Sequence, residues 1–93
     1  MANNLFVSYD LHTPGQNYEA VIEEIKNHGS WAKIHYSLFY LSSSESAEQV
    51  AKAVWAKMDS NDRLIVVDAS NNDAYWFKLE DKVSDFLQNH WKD

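Results

Sequence analysis

Ala32-Lys33-Ile34-His35-Tyr36-Ser37-Leu38-Phe39-Tyr40-Leu41 is the stretch on which the fold turns. Ile34, Tyr36, Leu38 and Tyr40 alternate with Lys33, His35, Ser37, Phe39 and Leu41, the period of two that belongs to extended chain. The segment reads either as one long strand or as two strands parted by a kink near Ser37. Undivided, it gives the order β-α-β-α-β-β-α. Divided, it begins the chain with β-α-β-β-α-β.

Upstream, Leu5, Val7 and Tyr9 share one strand face and Phe6, Ser8 and Asp10 the other, before Thr13-Pro14-Gly15 breaks the chain. The first strand therefore ends at a carboxylate. From Asn17 the period changes. Tyr18, Val21, Ile22 and Ile25 fall at helical spacing, Glu19, Glu23, Glu24 and Lys26 take the opposite side, and Asn27-His28-Gly29 closes the helix.

Downstream, Ser42-Ser43-Ser44-Glu45-Ser46 supplies loop and cap residues. Ser46 and Gln49 have the spacing of a capping box, and Ala47, Val50, Ala51, Val54 and Met58 form an apolar helix stripe. Asp59-Ser60-Asn61-Asp62 turns the chain into Leu64-Ile65-Val66-Val67, which reads as a buried strand. A second turn at Ser70-Asn71-Asn72-Asp73 leads to a hairpin strand from Ala74 to Leu79. Val83, Phe86, Leu87 and Trp91 suit a closing helix.

The expected class is α+β: a ferredoxin-like sandwich with a mainly antiparallel sheet, helices packed on one face and a C-terminal helix added. The 93 residues, 45% hydrophobic and 24% charged, suit a single domain spanning 1–93. A chain of this size buries only about 60 to 65% of its unfolded surface, so a homodimer is expected to help it fold. The sequence has no cysteine, which excludes disulfides and thiolate metal sites. No run approaches the roughly 18 apolar residues of a membrane span, and Met1-Ala2-Asn3-Asn4 has no basic region. The expectation is a cytoplasmic protein with no membrane partner.

Eight Lys and Arg against 14 Asp and Glu give a net charge of −6, which argues against a surface devoted to nucleic acid but permits a local basic patch. With two glycines and one proline, the phosphate-cradling glycine loops are absent. The serines of Ser42 to Ser46 have no nucleophile elbow. Asp59, Asp62, Asp73, Glu80 and Asp81 lack calcium-loop spacing and read as turns and helix starts.

Val7-Ser8-Tyr9-Asp10 on the first strand, a helix closed by glycine, and His35-Tyr36-Ser37-Leu38-Phe39 before a serine-capped helix resemble the second CRISPR-associated (Cas) protein family. The related virulence-associated protein D (VapD) family shares the pattern. Its motifs are a hydrophobic strand ending in Tyr-Asp, matched by Tyr9-Asp10, and a Tyr-Ser-Val-Phe-like segment, matched by Tyr36-Ser37-Leu38-Phe39. The resemblance covers about residues 4 to 70 in order and spacing.

The resemblance implies a ferredoxin-like homodimer with the first-strand carboxylate near the dimer axis. Some members are metal-dependent RNA or DNA endonucleases, and others are scaffolds or parts of toxin-antitoxin modules. Carried over, Asp10 takes the metal-ligand position, and Ser37 and Phe39 shape the same cleft or the interface. Two Asp10 side chains across a twofold axis suit one Mg²⁺, which needs only one or two carboxylates besides water and phosphate. This chain departs from the pattern in its acidity and in having no Lys or Arg directly after Asp10. The part from Asn71 onward matches no motif, and dimerisation is the role expected of it.

Each residue also has a structural reading. Asp10 can close its strand by accepting hydrogen bonds from Thr13 or neighbouring amides. Asp68 also ends a strand, but in this arrangement that strand runs antiparallel to the first, so Asp10 and Asp68 should not share a metal. His12 and His35 are either proton carriers or half-exposed sheet residues, and His28 and His90 suit helix C-termini. Lys26, His28, Lys33 and His35 around Trp31 read as a solvated helix end or as cations interleaved with a stacking aromatic. Tyr75, Trp76 and Phe77 occupy both strand faces, so one aromatic must face away from the core. The function expected is a Mg²⁺-dependent endonuclease on RNA or DNA. The alternative is a nonenzymatic scaffold or antitoxin-like module with an unidentified protein partner.

Overall fold

The computed structural model describes residues 2–12 and 18–91. The Thr13-Pro14-Gly15 break, the helix start at Asn17 and any bond from Thr13 to Asp10 lie outside the described residues.

The deciding stretch divides. A first strand, β1 (Asn3–Asp10), leads to helix α1 (Tyr18–Lys26). Strands β2 (Ser30–His35) and β3 (Leu38–Ser43) then form an antiparallel hairpin that turns at Tyr36-Ser37. A register shift between Lys33 and His35 inserts Ile34 as an extra residue, so the parity of a single strand does not carry through the hairpin. Phe39 and Leu41 are buried, whereas Leu38 and Tyr40 are half-buried on the opposite face.

Helix α2 (Ala47–Trp55), strands β4 (Arg63–Asp68) and β5 (Asp73–Phe77), and helix α3 (Asp81–His90) complete the chain. The sheet order is β2-β3-β1-β4-β5, with every neighbouring pair antiparallel. The first six elements make a ferredoxin-like α+β sandwich. β5 extends its edge and α3 follows as the C-terminal helix. The expected last strand is shorter than Ala74 to Leu79, because Lys78 takes a positive φ of 64° and ends it.

One sheet face builds the core. Leu5, Val7 and Tyr9 of β1 lie beside Leu41 and Phe39 of β3 and Val66 and Leu64 of β4, and all are buried. Val21 and Ile25 from α1 and Val50 and Val54 from α2 cover them. Each such side chain contributes about 1.5–3 kcal/mol relative to exposure. The expected capping box starts α2: Gln49 N–H donates to Ser46 Oγ at 3.1 Å, and Ser46 N–H donates to Gln49 Oε1 at 2.9 Å. After α1, Gly29 passes so close to β3 that a Cβ there would lie 2.0 Å from the Ser42 carbonyl oxygen.

The opposite face carries Phe6, Leu38, Tyr40, Ile65, Val67 and Trp76, all half-buried. Tyr75 and Phe77 point to the helix layer, where Phe77 stacks on Trp55 at 4.9 Å, and Trp76 points away. α3 departs from the expectation of helices on one face only. It is tied to the other side by the Trp76 indole, which donates to Ser84 Oγ at 2.9 Å. None of its described residues is buried, and Phe86 is 60% exposed. No described helix is long and apolar enough to cross a membrane.

Candidate functional site

The C-terminal end of β1 organises the site. Tyr9 N–H donates to the Ser37 carbonyl at 3.1 Å, and Tyr9 Oη donates to the Tyr36 carbonyl at 3.2 Å. The last core residue of the central strand thus pins the β2–β3 turn. Burial foremost, then the neighbouring Tyr18 and Tyr36, push the Tyr9 hydroxyl above its ordinary value, which keeps it a proton donor.

Between this strand end, α1 and the turn lies a cleft of about 590 Å³. Tyr9, Tyr18 and Tyr36 give it an aromatic lining, Leu11 and Ile22 add apolar wall, and Asp10, Lys33 and Ser37 supply polar groups. Lys33 Nζ stands 5.3 Å from the centre of the Tyr36 ring. A smaller hollow of about 210 Å³ opens beside Ser8, Arg63, Ile65 and Leu79, and it too includes Asp10. Asp10 is therefore common to the cleft and to the hollow along the open sheet face.

Asp10 sits on that open face because it keeps the parity of Phe6 and Ser8, opposite Arg63 of β4. Its Oδ2 is 2.8 Å from His12 Nε2, and both side chains are exposed. The loop that carries His12 is anchored from inside. Asp62 is fully buried, and its Oδ1 accepts the His12 N–H at 2.9 Å while its Oδ2 accepts the Asp59 N–H at 2.7 Å. A carboxylate beside an imidazole can orient it for proton transfer. Among the described residues no group of three or more His, Cys, Asp or Glu is placed to hold a metal ion. Mg²⁺ takes oxygen ligands, and at this strand end the carboxylate that the described residues offer is that of Asp10.

Ser37 lines the cleft at the turn, beside Asp10. Phe39 is 1% exposed and is a core side chain: it does not line the cleft but stacks at 6.4 Å on Tyr9, which does. Asp68 lies at the far end of the sheet, opposite Leu5, as the antiparallel order requires. It accepts the Ser70 and Asn71 amides at 3.0 and 3.1 Å and so builds the β4–β5 turn. His90 stacks on Phe86 in the last turn of α3. His28 is clamped between Glu24 and Glu45, a role that its helix-end position alone did not announce. Lys26 lies over Trp31 at 4.3 Å, so the cations around this strand do meet aromatics.

Sequence reasoning missed Asp62, which read as a turn residue, and Tyr18, which read as part of a helix stripe. For Asp62 the only local signal was its spacing from Asp59. Compared with known proteins, the chain matches no family model, no curated protein and no solved structure.

Proposed function

We propose that the chain is a Mg²⁺-dependent endonuclease of RNA or DNA that works as a homodimer, in keeping with its resemblance to the second CRISPR-associated family and to VapD. The observation that carries this reading is the position of Asp10. It ends the central strand exposed, on the sheet face that α1 and α2 leave open. Phe6 and Ile65 supply that face with half-buried apolar surface beside the end where α3 is tied down at Trp76. A second copy seated there would bury it and bring two Asp10 carboxylates towards one axis.

In this reading the two Asp10 side chains hold the ion. When bound, it supplies a polarised water and offsets charge on the scissile phosphate. The chain's own residues do the rest. Asp62 fixes the loop after β1, Asp10 orients the His12 ring, and His12 carries the proton that the departing oxygen needs.

The test is cleavage of single- and double-stranded RNA and DNA with Mg²⁺ or with EDTA, with Asp10→Ala prepared in parallel. Because Asp10 is exposed, the variant should melt like the parent. Cleavage that needs Mg²⁺ and vanishes in folded Asp10→Ala supports the reading, and full activity in that variant refutes it. The exposed Val83 and Phe86 of α3 favour a second reading, a nonenzymatic scaffold or antitoxin-like module. No cleavage, together with a defined co-purifying protein partner, would select it.

A further inference from the structure

We infer that the edge formed by β2, its turn and α1 binds single-stranded nucleic acid, with bases stacked on Tyr36 and Trp31 and phosphates held by Lys33 and Lys26. This deepens the nuclease reading by naming the form of its substrate, and it rests on that reading for where the scissile phosphate lies.

Tyr36 is 85% exposed at a tight turn, and Trp31 is 46% exposed on the edge strand. Neither ring is placed by a need to fill the core, yet each has a fixed base. The Trp31 ring rests against Phe39 at 6.1 Å, and the Tyr36 carbonyl is held by Tyr9 Oη. Each ring also has its own cation, Lys26 Nζ at 4.3 Å from Trp31 and Lys33 Nζ at 5.3 Å from Tyr36. Trp31 and Lys33 share one face of β2, because they pair with Leu41 and Phe39 of β3.

Rings and cations therefore alternate along one edge and end at the cleft that contains Asp10. A single strand presents this alternation in reverse, π-faces between phosphates. A duplex hides its base faces by stacking, so it offers none to an exposed ring such as that of Tyr36. The cleft of about 590 Å³ lies within the usual range of about 300–1,000 Å³ for organic ligands. Tyr18 and Ile22 of α1 form its far wall, so a base beyond Tyr36 can enter next to Asp10. The chain's acidity fits this choice. With net charge −6, attraction for phosphate must be local; Lys33 beside Tyr36 supplies it, and Lys26 beside Trp31 adds to it by exchanging Glu23, its partner at 3.8 Å, for phosphate.

The experiment measures fluorescence anisotropy of labelled oligouridylate, oligoadenylate and oligothymidylate, each alone and the first two annealed, in EDTA so that no cleavage intrudes. The expected result is binding of the single strands, much weaker binding of the duplex, a loss of about tenfold in Tyr36→Ala, and retention in Tyr36→Phe. The ribo and deoxy arms separate RNA from DNA. Equal affinity for duplex and single strand, or unchanged affinity in Tyr36→Ala, overturns the inference. A melt of both variants guards against misfolding. Ring-dependent binding without any Asp10-dependent cleavage would retain this inference and sink the nuclease. Asp10-dependent cleavage with KM unmoved by Tyr36→Ala would do the reverse.

Discussion

His28→Gln should lower stability in a pH-dependent way, and its magnitude follows from three side chains. His28 Nε2 is 2.8 Å from Glu24 Oε2, and His28 Nδ1 engages Glu45 Oε1, so the ring joins the end of α1 to the loop that leads into α2. Burial opposes the charged ring, but the hydrogen bonds to Glu45 and Glu24 and the charges of both carboxylates outweigh it and raise the imidazole above its ordinary value. A hydrogen bond to a charged group contributes about 1.5–3 kcal/mol. Glu45 is a third exposed, so screening holds the pair of bonds to about 2 kcal/mol. In a domain of this length that loss corresponds to about 10 °C in Tm. A folded-state value above that of the unfolded chain means that the stabilisation is fully present below the unfolded value of about 6.5. It is lost as pH rises through the raised folded-state value. Circular-dichroism melts across neutral and mildly alkaline pH should therefore show a gap between parent and variant that is widest at the acidic end and narrows upward. A gap of constant size, or a variant as stable as the parent at the acidic end, would refute the clamp.

Two further substitutions test how the site is held. Asp62→Ala removes the acceptor of two backbone amides, those of His12 and Asp59, and should cost about 2–3 kcal/mol in urea denaturation, with an unchanged midpoint counting against it. Gly29→Ala places a Cβ 2.0 Å from the Ser42 carbonyl oxygen, so β3 must shift, and a loss of at least about 2 kcal/mol in thermal melts is expected. A variant that melts like the parent would show that the approach of these backbones is not tight.

What the chain disclosed beforehand was local. The alternation of Leu5, Val7 and Tyr9 and the Ser46 to Gln49 box each depend on neighbours within a few residues, and both appear as read. The division at Ser37 was open because the extra residue at Ile34 breaks the parity on which strand reading rests. α3 had the right period for a core helix, yet period says only that one face is apolar, not that the same chain covers it. The clamp on His28 and the anchor under His12 join residues 17 and 50 positions apart, and no local pattern encodes such a pairing. The end of β1 at Asp10 and the break near Ser37 were legible from the strand pattern, whereas the site roles given to both came from the resemblance alone. The aromatic edge was half legible: Lys26, Trp31 and Lys33 stood close in sequence, but only the hairpin turn adds Tyr36 to them.

The proposed dimer and the proposed strand path approach Asp10 from different sides of the sheet. Asp10 keeps the parity of Phe6 and Ser8, so a second copy on the open face approaches Asp10 from that side. Trp31 and Lys33 keep the parity of Phe39 and Leu41, so the ring-and-cation edge opens towards the helix side and stays accessible in such a dimer. Such a dimer would also double a charge of −6. A rigid duplex would bring one phosphate for about every 1.7 Å of its axis against that doubled charge. A single strand can bend away from the acidic surface and touch only the two lysines and their rings. Polyanion binding by so acidic a chain is thus compatible with a substrate held by its base faces first and by its charge second.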